Sequence, residues 1–343
     1  PLYRLEKIFA RIGAALCRAT MAGWMIRMGD LIVPLINLMD DAQLGYDYLQ
    51  MDETSVQVLK ELGRAAQSKS YMWVRRGGPP DKPVILFDYD PSRAGAVPWR
   101  LLKDFQGILQ TDGYEGYGGV SKRNDIVSVG CLAHARRKFD EALKAQKKKG
   151  RGGLAKQGFD FMQRLYRVER EARDRQLDAY GRKTLREEKA KPVWEEMRQW
   201  LDKALPQVPP QTLTGKALGY MHAQWARLIR YLDDGRIEVD NNFCENCIRP
   251  FVMGRKAWLF SDTPAGAEAS ARLYSLVETA KANGHEPYHY LVHVFTEQPK
   301  AITAEDIEAQ LPWNVTLPAT QSGAARMHIR PAQCDLWKID RLR

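Results

Sequence analysis

The sequence predicts an α/β protein: a mixed sheet with a large α-helical insertion late in the chain. Three observations carry this. Stretches with a two-residue apolar period recur from Tyr46, over Ser70–Arg76 and over Val84–Tyr89, with short links between them. Strand-like and helix-like patterns then alternate from Val97 to Lys144, as in parallel additions through crossovers. From residue 146 the composition turns basic and the apolar spacing lengthens to that of helices.

Taken in order, residues 3–29 predict two short helices. Leu5, Ile8, Phe9 and Ile12 share one face, Gly13 breaks the pattern, and Thr20, Met21, Trp24 and Met25 resume it. A helix-turn-helix unit and a plain helical hairpin both fit this pattern. Residues 30–45 read as a connector, because Pro34 interrupts the apolar run Leu31–Met39. In the first strand Tyr48, Gln50, Asp52 and Thr54 share one face, and Leu49 and Met51 the other. Gly77-Gly78-Pro79-Pro80 turns the second strand into the third. Val97–Phe105 reads as helix, Gly107–Thr111 as strand, Tyr114–Val120 as a turn or short helix, Ile126–Cys131 as strand and Ala133–Lys144 as helix. Lys147–Gly153 is a loop. Apolar stripes then mark helices at Phe159/Met162/Leu165/Tyr166, at Trp194/Met197/Leu201 after Pro192, and at Leu218/Met221/Leu228/Leu232. Asp240-Asn241-Asn242 predicts the cap of a short helix stopped by Pro250. Lys256–Phe260 is a short strand or turn, Thr263–Asn283 and Pro287–Phe295 are helices, and the tail after Glu305 has little pattern.

The order β-β-β-α-β-α-β-α is the ribonuclease-H-like arrangement. By analogy with it, the first and fourth strands are expected side by side at the centre. The expected organisation is a helical segment and connector at 1–45, a first part of the ribonuclease-H-like core at 46–145, a basic helical insertion at 146–235, the last part of the core at 236–300 and a tail at 301–343.

Composition narrows the partners. Of a net charge of +10, the stretch Lys144–Lys191 supplies +9, from 16 Lys/Arg against 7 Asp/Glu. A localised basic block suits a polyanion surface, although a solvated helix face is the bland alternative. No apolar run reaches membrane-spanning length. There is no signal-peptide pattern, and five cysteines point to a reducing compartment rather than a disulfide framework. With Pro1 at its start, the chain is expected to begin inside a longer polypeptide. No Gly-x-x-x-x-Gly-Lys loop is present, so ATP dependence is not indicated.

The chemistry centres on carboxylates. GILQTDGYEGY reads as a buried strand delivering Asp112 to its C-terminal end, where open α/β sheets place their sites. Asp52 in YLQMDETSV and Glu245 in VDNNFCENCIRP compete to join it. Three acids on separate elements could hold a pair of divalent ions roughly 4 Å apart, the requirement for phosphodiester chemistry without a covalent intermediate. Asp88, Asp90, Glu53 and Asp240 compete for the same roles, and any single carboxylate is more often a cap or an ion-pair member. Arg249, Arg255 and Lys256 follow Glu245, with Arg249 one helical turn away, and Arg136, Arg137 and Lys138 form a second cationic run; both suit phosphate contact. His134 stands where it could approach the acids or a phosphate, against the alternative of a packed histidine. Cys244-x-x-Cys247 is a lone pair without the four ligands of a structural zinc site, and His289 and His293 read as packed residues.

The phrases MDETSVQVL, LQTDGYEGY, CLAHARRKF, VDNNFCENCIRPFVMGRKAWLFSDTPAGAEASARLYSLVETAKANG and EPYHYL resemble the DDE transposases of the insertion-sequence-66 family, in order through nearly all of residues 1–300. The resemblance implies a catalytic and metal-binding triad at Asp52, Asp112 and Glu245. It also implies two Mg²⁺ or Mn²⁺ ions, hydrolysis at element ends and transfer of the 3′-hydroxyl into target DNA. DNA-binding residues would be His134, Arg136, Arg137, Lys138, Arg249, Arg255 and Lys256. Expected partners are DNA, further copies of the chain on DNA and accessory proteins of the same element, with no membrane and a cytoplasmic, nucleoid-associated location. The family also has an upstream part with a zinc-binding module, to which PLYRLEKIFARIGAALCRATMAGWM looks like the joining segment. Ser55 stands where the family usually has proline after DET, and the stretch after about residue 314 departs from the pattern. A catalytically inactive DNA-binding regulator and a structure-selective nuclease on the same fold are the alternative readings.

Overall fold

The computed structural model describes residues 1–145 and 153–317. The expected loop Lys147–Gly153, apart from its last residue, and the expected tail beyond Leu317 lie outside the described residues. The architecture is mixed α/β, around a five-stranded sheet in the order β3-β2-β1-β4-β5. The strands are β1 (Tyr48–Gln57), β2 (Lys69–Gly77), β3 (Val84–Asp90), β4 (Gly107–Gln110) and β5 (Ile126–Val129). β2 and β3 are antiparallel, whereas β4 runs parallel to both β1 and β5. The expected adjacency of the first and fourth strands is therefore present. Two compact units share this sheet: one comprises Pro1–Tyr46, Asp52–Val97 and the described residues from Cys244 onward, the other Asp47–Met51 and Pro98–Phe243.

In the first unit the helices are α1 (Leu2–Arg11), α2 (Arg18–Leu31) and α3 (Val33–Leu44). α3 corrects the expected connector at 30–45: Pro34 stands in its first turn, where a missing N–H costs nothing. β3 splits its side chains by the two-residue period. Ile85 and Phe87 pack with Val56, Met72, Cys244, Ile248 and Phe251, while Val84 and Leu86 pack with Ile32, Leu35, Met39, Tyr290 and Val294. α4 (Ala96–Leu101) begins at the end of this unit, and α10 begins at Asn242.

α10 (Asn242–Trp258) departs from the expected short helix, running through Pro250 and absorbing the first residues of the short strand or turn expected at Lys256–Phe260. A proline inside a helix removes one hydrogen bond. Burial of Cys244, Ile248 and Phe251 along one face outweighs that loss. Beyond Trp258, Ser261 bridges to Val58. α11 (Pro264–Ala282) covers β3, which is an edge strand: the Thr279 hydroxyl accepts from Ile85 N at 3.0 Å and donates to Ile85 O at 2.8 Å, and Ser275 Oγ accepts from Phe87 N at 2.8 Å. This blunts an edge that would otherwise present open amides. α2 reaches α11 closely enough that a Cβ on Gly29 would stand 2.9 Å from Ala269. α12 (Pro287–Glu297) and α13 (Ala304–Glu308) complete the unit. No single helix among the described residues is long and apolar enough to cross a membrane, although α2 and α3 pass that test jointly across a 49° bend.

The second unit holds the first residues of β1 with β4, β5 and the helices α5 (Leu132–Ala145), α6 (Leu154–Asp174), α7 (Ala179–Leu185), α8 (Lys191–Ala204) and α9 (Leu213–Leu228). Tyr114–Val120 forms short 3₁₀ turns. α6, α8 and α9 bury the expected Met162, Leu165, Trp194, Met197, Leu201, Leu218, Met221 and Leu228. α7 and the π turn Arg186–Ala190 were not anticipated, since their pattern is largely polar. Their reason is tertiary. The fully buried Arg186 guanidinium donates to both Glu169 oxygens at 2.8 and 2.9 Å and to the carbonyls of Tyr231, Asp234 and Ile237.

Candidate active site

β1 is buried on both faces through Glu53, so its acidic residue arrives inside the first unit rather than on a surface. Asp52 is 3% exposed, and its Oδ1 accepts from Glu53 N at 2.9 Å. Glu245 lies in the first turn of α10, where the helix dipole favours a negative charge. Cys244, next to Glu245 in sequence, is fully buried and donates Sγ to Val74 O at 3.6 Å. Burial first, then the charges of Asp52, Cys247 and Glu245, push its thiol well above the usual range. Both carboxylates thus act on one side chain. Burial likewise pushes Cys247 up to about 11, so neither thiol is a thiolate at neutral pH.

The competing acids of this unit are engaged elsewhere. Asp88 accepts from Arg75 at 3.2 and 3.1 Å. Burial works against the charge of Arg75, but Asp88 and Asp40 outweigh it and raise its pKa. Glu53 accepts from Arg93 Nε at 2.8 Å, and Asp90 accepts from Ser92 N at 2.7 Å in a turn. Of the expected cations, Arg249 and Lys256 are exposed on α10. Arg255 instead reaches Thr54 Oγ1 at 3.1 Å and Ser55 Oγ at 3.4 Å, and partial burial lowers its pKa. His289 is half exposed, its ring edge-on to that of Tyr288 with centroids 5.4 Å apart and its Nε2 4.0 Å from Glu286.

In the second unit, β1 and β4 run in parallel register, with Gln50 opposite Gln110. Gln110 Oε1 accepts from Tyr48 OH at 2.6 Å and from Gln50 Nε2 at 2.8 Å, while its Nε2 donates to the carbonyls of Gly130 and Glu238. This buried amide ties three segments at the ends of the strands. Two residues past Gln110 stands Asp112, whose Oδ1 accepts from Tyr114 N at 2.8 Å. Gly113 follows with φ +87°, a left-handed conformation that glycine adopts without strain. α5 brings His134 to Asp112, Nε2 to Oδ2 at 4.0 Å, both side chains largely buried.

Arg136 and Lys138 of the cationic run lie over rings of their own unit, Arg136 5.2 Å from the centroids of both Phe159 and Tyr166, Lys138 4.9 Å from that of Tyr220. Arg137 is half-buried on the same helix. Asp240, the fourth competing acid, accepts from Tyr166 OH at 2.7 Å and from Asn242 N and Nδ2 at 3.1 and 2.8 Å. Burial pushes its carboxyl up to about 6. The residue that sequence reasoning passed over is Tyr220 of α9, whose hydroxyl donates to Asp112 O at 2.8 Å. No sequence signal marks it, because 108 positions separate the partners.

The chain matches the Transposase IS66 family over residues 1–269 and the IS66 C-terminal element over 275–313. It belongs to the IS66 transposase family. Among its relatives are two proteins of Sinorhizobium fredii, the uncharacterized protein y4qI, 32% identical over 326 residues, and the uncharacterized protein y4jD, 31% identical over 326 residues. Each alignment takes in 92% of this chain but only 59% and 62% of those relatives, so the chain spans less than two thirds of the length of either.

Proposed function

We propose that this chain carries the catalytic part of an IS66-family DNA transposase, on a ribonuclease-H-like core interrupted by the basic helical insertion at 146–235. It would cut the phosphodiester at element ends and join the freed 3′-hydroxyl to target DNA. The observation that carries the reading is the parallel register of β1 and β4: Gln50 stands opposite Gln110, and each strand places an aspartate two residues further on.

The donor chemistry fits a hard divalent ion. Asp52, Asp112 and Glu245 offer carboxylate oxygens, the donors that such an ion takes. These three acids would hold two Mg²⁺ or Mn²⁺ ions, which when bound supply activation of the attacking oxygen and stabilisation of the leaving one. The chain's own residues bind and orient. His134 stands 4.0 Å from Asp112 Oδ2, placed to fix that carboxylate or to meet a phosphate oxygen. Arg249 and Lys256, exposed on the helix that carries Glu245, supply charge for the DNA backbone, and Arg136, Arg137, Lys138 and Arg255 add to it from more enclosed positions. DNA is the partner this implies, with further copies of the chain and accessory proteins of the element assembled on it.

The test is Mg²⁺- or Mn²⁺-dependent nicking of a labelled duplex carrying candidate element ends. Asp112→Asn and Glu245→Gln should each abolish cleavage while leaving salt-sensitive DNA binding in place. Cleavage that survives either change sinks the assignment. Binding without cleavage by the unaltered chain would favour the regulator reading, and cleavage without strand transfer the nuclease reading.

A further inference from the structure

α9 presents Tyr220, Gln224 and Arg227, at i, i+4 and i+7, on one polar face. Each meets the ends of the strands or the turns beyond them. Tyr220 OH donates to Asp112 O at 2.8 Å. A Cβ on Gly113 would stand 3.1 Å from the Tyr220 hydroxyl and 3.4 Å from the Gln224 side chain, so the turn lies directly against this face. Arg227 Nε donates to Ser128 Oγ at 2.8 Å, its Nη2 reaches Ser121 and Ser128, and its backbone oxygen accepts from Gly130 N at 3.0 Å. One helix of the second unit is therefore bonded to both β5 and the turn that carries Asp112.

We propose that Tyr220 is a positioning residue for the Asp112 carboxylate, the hydroxyl fixing the peptide of a metal-ligand residue whose next neighbour is a left-handed glycine. Asp112 sits where the backbone is least constrained by its own sequence, because Gly113 has no side chain to restrict it. Two hydrogen bonds hold the residue from opposite sides, Tyr114 N on Oδ1 and Tyr220 OH on the carbonyl. The first is local and would survive a swing of the whole turn. The second comes from a packed helix and would not. Lys138, with Nζ 4.9 Å from the Tyr220 ring centroid, and the packing of α9 on α5 hold the ring itself. Partners one shell out from a metal ligand characteristically alter affinity by 10- to 100-fold.

This inference rests on the reading of Asp112 as a metal ligand, and the experiment separates the two. Mn²⁺ binding to the whole chain is titrated by electron paramagnetic resonance for the unaltered protein, Tyr220→Phe, Gly113→Ala and Asp112→Asn, beside thermal unfolding of each. Tyr220→Phe keeps the ring and removes only the donor, so its Mn²⁺ affinity should fall about 10-fold well below the unfolding transition, which the loss of one hydrogen bond lowers only slightly. Gly113→Ala, which drives a methyl towards the Tyr220 hydroxyl at positive φ, should weaken binding at least as much. Unchanged Mn²⁺ affinity in Tyr220→Phe overturns the positioning role while leaving Asp112 as a ligand. A loss that merely follows a lowered unfolding temperature marks ordinary packing and overturns it equally. Full Mn²⁺ binding by Asp112→Asn, or none by the unaltered chain, removes the metal-ligand reading itself and the inference with it.

Discussion

Edge strand β3 and the helical part of the second unit both have backbone groups completed by side chains, but with different chemistry. On β3, neutral hydroxyls of Ser275 and Thr279 meet the amides of Phe87 and Ile85. In the second unit a buried guanidinium, Arg186, meets the carbonyls of Tyr231, Asp234 and Ile237, with Glu169 as its counter-charge. A hydroxyl that loses its partner leaves one unsatisfied polar group. A guanidinium that loses its carboxylate leaves a buried charge, which is far worse. The second unit should therefore be the more brittle where it is bonded by side chains, and the first the more forgiving.

The largest effect should come from Glu169→Gln, which leaves Arg186 fully buried beside an uncharged partner. A loss of about 3–5 kcal/mol in urea unfolding is expected. Glu169→Asp, which keeps the counter-charge of Arg186, should cost much less, because no orphan charge remains. If the Gln and Asp variants unfold alike, the contrast between the two regions fails.

A pH experiment comes next. Asp240 is buried in the second unit with its carboxyl at about 6, above the ordinary 3.8 of the unfolded chain. In that window the folded state holds more protons than the unfolded state, so stability is full below pH 3.8 and falls as pH rises towards 6. The shift corresponds to roughly 3 kcal/mol. Asp240→Asn should flatten this part of the stability–pH curve; an unaltered slope would mean that the acid is better solvated than its burial implies.

The smallest effect belongs to the hydroxyl seal. Ser275→Ala strands the N–H of Phe87, for about 1–3 kcal/mol in the same urea assay. A loss as large as that of Glu169→Gln would erase the distinction between neutral and charged completion.

Much of the secondary structure was legible because it rests on local periodicity. Every strand follows from apolar runs or two-residue alternation, and the stripes of α6, α8 and α9 from helical spacing. The misreadings cluster at prolines and at polar helices. Pro34, which reads locally as a breaker, occupies the first turn of α3, and Pro250, which reads as a stop, sits inside α10. Whether a proline ends a helix depends on what the helix buries, which no local window contains. The π turn is held by Arg186 across 45 to 51 residues of chain, again beyond any window.

By itself the sequence determined the residue types that could carry phosphodiester chemistry, the motifs of the family and the alternation that makes a sheet. Only the tertiary structure decided which acids are engaged elsewhere: Asp88 by Arg75, Glu53 by Arg93 and Asp240 by Tyr166. It alone revealed that α9, more than a hundred residues further along the chain, bonds to the carbonyl of Asp112 through Tyr220. The physical reason is the range of the interactions. Periodicity is set by neighbours three or four residues away, whereas the charge state and orientation of a carboxylate are set by whatever the folded chain brings within a few ångströms of it.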